Sequence, residues 1–152
     1  MIRFKQLFFL VTLFVLSTIS CKDGKGDDPQ LTEVQIQTQL LTGESVASAV
    51  AAEWSVDQVQ VDDIDYTEVF TDFALVFTNT GFTTQNGGVV FGSDGTWSFT
   101  DDTAKKVELQ DGLELTLVEL TETSLVFEFT WNETLYGRTK AVGGVNTFTM
   151  SR

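Results

Sequence analysis

Histidine is absent from this 152-residue chain. With it go the usual general base, the commonest metal ligand and every Ser-His-Asp or Cys-His arrangement. Cysteine occurs once, at Cys21, so no internal disulfide can form. Proline also occurs once, at Pro29. Basic side chains are scarce: nine Lys and Arg stand against 22 Asp and Glu, a net charge of −13. Nucleic acid is excluded as a partner on that ground, because its phosphates require a basic footprint, and so is peripheral docking on an anionic membrane surface. There is no internal repeat and no low-complexity block.

What is present begins with an address. Arg3 and Lys5 precede an apolar run, Leu7 to Leu16, broken only by Thr12, and small or modest residues from Ser17 to Ser20 lead to Cys21. A charged start, a short apolar stretch and a small-residue cleavage region make residues 1–20 a secretory signal peptide. The apolar run is shorter than the roughly 20 residues of a membrane-spanning helix. Ser17-Thr18-Ile19-Ser20-Cys21 resembles a bacterial lipobox, which implies that Cys21 is acylated and becomes the first residue of the mature protein. Each buried CH₂ of such chains adds about 0.8 kcal/mol of anchoring to the membrane.

Residues 21–28 form a short acidic, glycine-bearing tether. Lys22-Asp23-Gly24-Lys25 also resembles the lysine-plus-acid export signal of surface lipoproteins in Bacteroidota. That resemblance implies a lipid-anchored outer-membrane protein whose domain faces outside the cell; the flexible-tether reading leaves the periplasmic face open. Without Arg3 and Lys5, seven basic side chains remain against 22 acidic ones, so the mature chain carries −15. Such a charge favours solubility and a monomer.

The remaining length suits one domain, and nine Phe, three Trp and two Tyr beyond residue 20 supply enough bulk for a core. Asp28-Pro29 reads as a helix start, and Leu31, Val34 and Leu41 recur at helical spacing up to Gly43. The pattern predicts a helix over 29–41 within a helical N-terminal segment 29–52; Glu44 to Ala52 fits helix by its alanines and strand by its valines. From Glu53 the period becomes two: Phe73, Leu75 and Phe77, then Trp97 and Phe99, then Leu113, Leu115 and Leu117, then Leu125, Phe127, Phe129 and Trp131 alternate with smaller or polar residues. Turn signals separate them at Asn86-Gly87-Gly88, Asp94-Gly95, Asp111-Gly112 and Gly143-Gly144. Strands are expected near 53–61, 73–79, 81–85, 88–92, 95–100, 106–110, 113–120 and 124–131, with another at 145–150. The fold class is all-β: an antiparallel meander of about eight strands over 53–152, closing into a barrel that leaves no exposed edge.

Three stretches carry a family resemblance: Glu53-Trp54-Ser55-Val56, Asp94-Gly95-Thr96-Trp97-Ser98-Phe99, and the tail Gly137-Arg138 with Gly143-Gly144 and Phe148-Thr149. Together they resemble the lipocalin-like domains of Bacteroidota lipoproteins, over about residues 50–152. The resemblance implies a barrel and no settled activity.

Several features are candidates for chemistry. Glu114 and Glu128 lie on the polar faces of their strands and read as solvent-facing charges rather than a glycosidase pair. Asp62-Asp63-Ile64-Asp65 and Asp101-Asp102 read as surface turns, since no glycine stands where a calcium loop needs one. Asn132-Glu133-Thr134 matches a glycosylation sequon by chance in a bacterial setting. Trp54, Phe73, Phe77, Trp97, Phe99, Phe127 and Phe129 are expected to face inward, where an eight-stranded barrel either fills with side chains or holds one small ligand. Arg138 is expected to close a barrel end by pairing with an acid or stacking on an aromatic ring, with recognition of an anion as the alternative. No catalytic residue, metal or cofactor is expected. Two functions stay open: a non-catalytic module binding a small apolar or glycan-like ligand, and a structural or interaction lipoprotein with a filled core acting through its acidic surface.

Overall fold

A computed structural model describes residues 30–44, 50–87, 90–131 and 143–152. The signal segment, Cys21, the tether, Arg138 and the Asn132 sequon lie outside the described residues. Leu31–Arg152 forms one compact unit.

Helix α1 spans Glu33–Thr42. It starts later than the proline suggests, because Thr32 and Gln35 form a capping box: the Gln35 N–H donates to the Thr32 hydroxyl at 3.2 Å, and the Thr32 N–H donates to the Gln35 side chain at 2.9 Å. Two of the four free N–H groups at the helix start are thereby satisfied, and Asp28-Pro29 is not the start. Gly43 ends the helix in the left-handed region (φ +67°), its N–H donating to the Gln39 carbonyl at 2.9 Å. Residues 50–52 are not helical, so the segment 29–52 is helical only in part.

The strands are β1 (Glu53–Val61), β2 (Ile64–Asp65), β3 (Ala74–Thr78), β4 (Gly81–Gln85), β5 (Asp94–Gly95), β6 (Trp97–Phe99), β7 (Lys106–Leu109), β8 (Glu114–Leu120), β9 (Ser124–Trp131) and β10 (Gly144–Ser151), with a 3₁₀ turn at Thr67–Phe70. All pairings are antiparallel, in the order β5-β4-β3-β1-β10-β9-β8-β7-β6, with β2 off the path beside β1. The two ends of that path are consecutive in the chain, with only Thr96 between them. Thr96 is tied on to β7's end in both directions: its N–H donates to the Gln110 side chain at 3.2 Å, and the Gln110 N–H donates to its carbonyl at 2.9 Å. Residues 94–99 therefore act as one interrupted strand, pairing with β4 by the first half and β7 by the second. With β5 and β6 taken together and β2 set aside, eight strands in sequential order make an all-β sheet nearly closed into a barrel.

The expected strand at 88–92 does not form over Val90–Gly92, which is turn and bend. The Phe91 N–H donates to the Gly87 carbonyl at 3.2 Å, and the compact turn drives Phe91 into the interior rather than along the wall.

Alternation places the core. On β9, Leu125, Phe127 and Phe129 face inward; on β10, Phe148 and Met150 do, in direct register as Phe148↔Phe127 and Met150↔Leu125. Each fully buried side chain of this size contributes about 1.5–3 kcal/mol. Two register shifts, between Val56 and Gln58 and between Leu117 and Glu119, bend β1 and β8 as the wall curves.

Candidate functional site

The interior is the natural place to look, since the sequence sets aromatic rings there. Trp54, Phe73, Phe77, Phe127 and Phe129 are buried, as expected. Trp97 and Phe99 are half-buried instead, packed at the margin of the core. They flank the seam where the sheet changes partner, so the wall does not fully enclose them. The Trp97 indole N–H donates to the Thr78 carbonyl at 2.8 Å, and its ring meets Phe77 edge-on at 5.5 Å and Phe99 at 5.3 Å.

Phe148, which the sequence pattern did not single out for a site, is the hub. Its ring lies 4.9 Å from Phe70, 5.2 Å from Phe127, and 5.6 Å from each of Phe73, Phe91 and Phe129, centroid to centroid. Phe127 and Phe129 come from the wall, whereas Phe70 comes from the 3₁₀ turn and Phe91 from the 90–92 turn. Two connecting segments thus push rings into the barrel against rings of the wall. Stacked and edge-to-face contacts at these spacings are worth about 0.5–1.5 kcal/mol each beyond burial.

At one end of the barrel, Trp54 is fully buried on β1, and its indole N–H donates to the Leu41 carbonyl of α1 at 2.8 Å. Helix carbonyls at a C-terminus lack partners within the helix, and the indole supplies one. The Arg152 guanidinium lies 4.4 Å over the Trp54 ring, and its Nε donates to the Glu122 carbonyl. Burial pushes the Arg152 guanidinium below its ordinary value, partly offset by the Glu122 carboxylate. Among the described residues Arg152 makes the kind of ring contact expected of Arg138, which itself lies outside them. The scarcity of cations was a usable signal, but nothing in the local sequence of Arg152 set it apart.

The acidic stretches are turns. Asp62 (φ +48°) and Asp63 (φ +66°) join β1 to β2 in a two-residue hairpin closed by the Val61↔Ile64 pair. The Asp65 carboxylate accepts from the Thr67 hydroxyl at 2.6 Å and the Thr67 N–H at 2.9 Å, and these bonds hold its pKa below the ordinary value. Asp101 does the same with Thr103, at 2.5 and 2.8 Å, and its pKa is likewise lowered. Among the described residues no three His, Cys, Asp or Glu stand close enough to hold a metal ion.

Glu114 and Glu128 point outward. Glu114 pairs with Lys106 at 2.7 Å, which raises the Lys106 pKa through that hydrogen bond and the attached charge. Glu128 accepts from the Thr147 hydroxyl at 3.3 Å. Between these two carboxylates runs a groove of about 480 Å³, also lined by Leu113, Thr116, Phe129 and Thr130.

No family model, curated protein or solved structure matches the chain. Strand order and burial alone define the class: an antiparallel up-and-down β-barrel, capped at one end by a short helix and filled by phenylalanine rings around Phe148.

Proposed function

We propose that this chain is an exported, lipid-anchored, non-catalytic protein, related to the lipocalin-like lipoproteins, that acts through its acidic outer surface rather than by enclosing an apolar ligand. The observation that carries the reading is the contact of Phe148 with five other rings. Side chains nominated as a ligand wall touch one another there, and displacing them would cost the core packing that fills the site. The lack of histidine supports a non-catalytic role. The lipobox-like Ser17–Cys21 segment supports anchoring at Cys21 in the outer membrane.

Two measurements test it. Titration with fatty acids and retinoids at micromolar concentration, followed by tryptophan emission, should give no saturable change; a saturable response would restore the enclosed-ligand function. Metabolic labelling with a fatty-acid analogue should be lost in Cys21→Ser, and equal labelling of that variant would remove the anchor from the proposal.

A further inference from the structure

The barrel wall is not paired evenly along its length. Strands β8 and β9 are in register from Leu120↔Leu125 to Thr116↔Glu128, and there their pairing ends. Beyond that point β8 continues to Glu114 against β7, and β9 continues to Trp131 against β10. Each strand follows its other neighbour, and the two part. The 480 Å³ groove lies in this wedge, within the roughly 300–1,000 Å³ range of small-molecule sites.

Its lining restricts what can enter. Glu114 and Thr116 come from β8, Glu128 and Thr130 from β9, and Leu113 with the exposed Val145 of β10 supplies apolar surface. Among the described residues the lining contains no cation, and the groove belongs to a strongly acidic chain, so an anion meets repulsion. A cation gains little at Glu114, whose charge Lys106 already neutralises, and finds at Glu128 a single carboxylate that already accepts from the Thr147 hydroxyl. A purely apolar molecule would strip water from two carboxylates and two hydroxyls without replacing their hydrogen bonds. An added β-strand does not fit either. Neighbouring strands lie about 4.8 Å apart, so insertion would require about twice that, yet Thr116 and Glu128 are still paired at the apex of the wedge. A neutral molecule rich in hydroxyl groups meets every requirement. Its hydroxyls donate to the carboxylates, exchange hydrogen bonds with the threonines, and leave a C–H face for Leu113 and Val145.

We infer that the wedge between β8 and β9 is a binding site for a neutral saccharide unit. The inference rests on the outer-surface reading above and gives that surface a ligand class. Binding is weak and reversible, with Kd of about 1 mM, as a shallow site with few apolar contacts gives.

The test is amide chemical-shift titration of the full chain in detergent micelles with glucose, galactose, mannose and N-acetylglucosamine, each to about 50 mM. Choline serves as a cationic control. Saturable shifts confined to 112–116 and 128–130 with at least one sugar are expected, weakened fivefold or more by Glu128→Gln and by Thr116→Val. Both positions face outward, so an unchanged spectrum elsewhere verifies that the variants fold. No saturable shift with any sugar, shifts that survive both substitutions, or choline binding in place of the sugars would each overturn the site and leave the filled-core reading standing. Shifts centred on Phe127 and Phe148 would overturn the filled-core reading instead.

Discussion

Asp62 and Val145 hold one another through two hydrogen bonds: the Asp62 N–H donates to the Val145 carbonyl at 2.9 Å, and the Val145 N–H donates to the Asp62 carboxylate at 3.0 Å. The tip of the first hairpin is thereby fastened to the start of the last strand. Gly144 (φ +123°) makes the approach feasible, because a Cβ there would sit 2.3 Å from an oxygen of the same carboxylate.

The two aspartates of that turn should respond in opposite directions to glycine. Asp63→Gly relieves a left-handed conformation and should leave stability unchanged or raise it by up to about 1 kcal/mol. Asp62→Gly relieves the same kind of conformation but removes the acceptor of Val145, and should destabilise by about 1 kcal/mol. Urea denaturation of the two variants settles the matter; an equal gain in both would mean that the Asp62 carboxylate does nothing for the fold.

Gly43→Ala should be costly for two separable reasons. The left-handed backbone alone costs an L-residue about 1–2 kcal/mol. In addition, the new Cβ would lie 2.5 Å from the Ala52 Cβ and 2.5 Å from an Arg152 guanidinium nitrogen. Combining it with Arg152→Ala should recover the share of the second part that Arg152 contributes, leaving the Ala52 clash and the backbone cost, so the double variant will be more stable than the two separate losses add up to. Strict additivity in thermal unfolding would refute the shared contact.

Removing the hub should exceed any change at the seam. Phe148→Ala is expected to cost about 3–5 kcal/mol, as large-to-small changes in cores do. Trp97→Phe, at a half-buried ring, loses chiefly the hydrogen bond to Thr78 and should cost about 0.5–1.5 kcal/mol. If the order is reversed, the packed centre of the barrel is not around Phe148.

Asp65 should show its hydrogen bonds to Thr67 as acid sensitivity. A carboxyl whose folded pKa lies below its unfolded value favours folding at and above the unfolded range, near pH 4, and that contribution disappears as pH falls through the lower folded pKa. Carboxyl resonances followed by NMR should titrate below the ordinary range at Asp65 and move upward in Thr67→Val. An unmoved midpoint in that variant would break the assignment of cause.

Much of this fold was readable because a strand with one buried face must alternate: β1, β4 and β9 occupy their expected spans, and Leu125, Phe127 and Phe129 face inward as their spacing demands. What failed to read is local structure set by distant partners. Val90 and Phe91 have strand-like side chains, yet they form a turn because burying Phe91 against Phe73 and Phe148 outweighs extending the backbone. Thr32 took the helix start from Asp28-Pro29 through the reciprocal bond with Gln35, a short signal that the more conspicuous proline obscured. The candidate groove was less legible still. Glu114 and Glu128 were visible as outward acids, but only the register of β8 and β9 reveals that the strands separate between them.

The pairing of β1 with β10 has a consequence for how the chain reaches this shape. The other neighbours around the barrel are consecutive in sequence and can zip together locally, whereas Ser55 finds Ser151 only by closing nearly the whole barrel into a loop. Until that happens, β1 and β10 each expose a row of unsatisfied backbone groups, and each is as suitable a partner for another copy's strand as for its own. The concentration at which the protein refolds therefore decides between an intramolecular ring and an exchanged dimer.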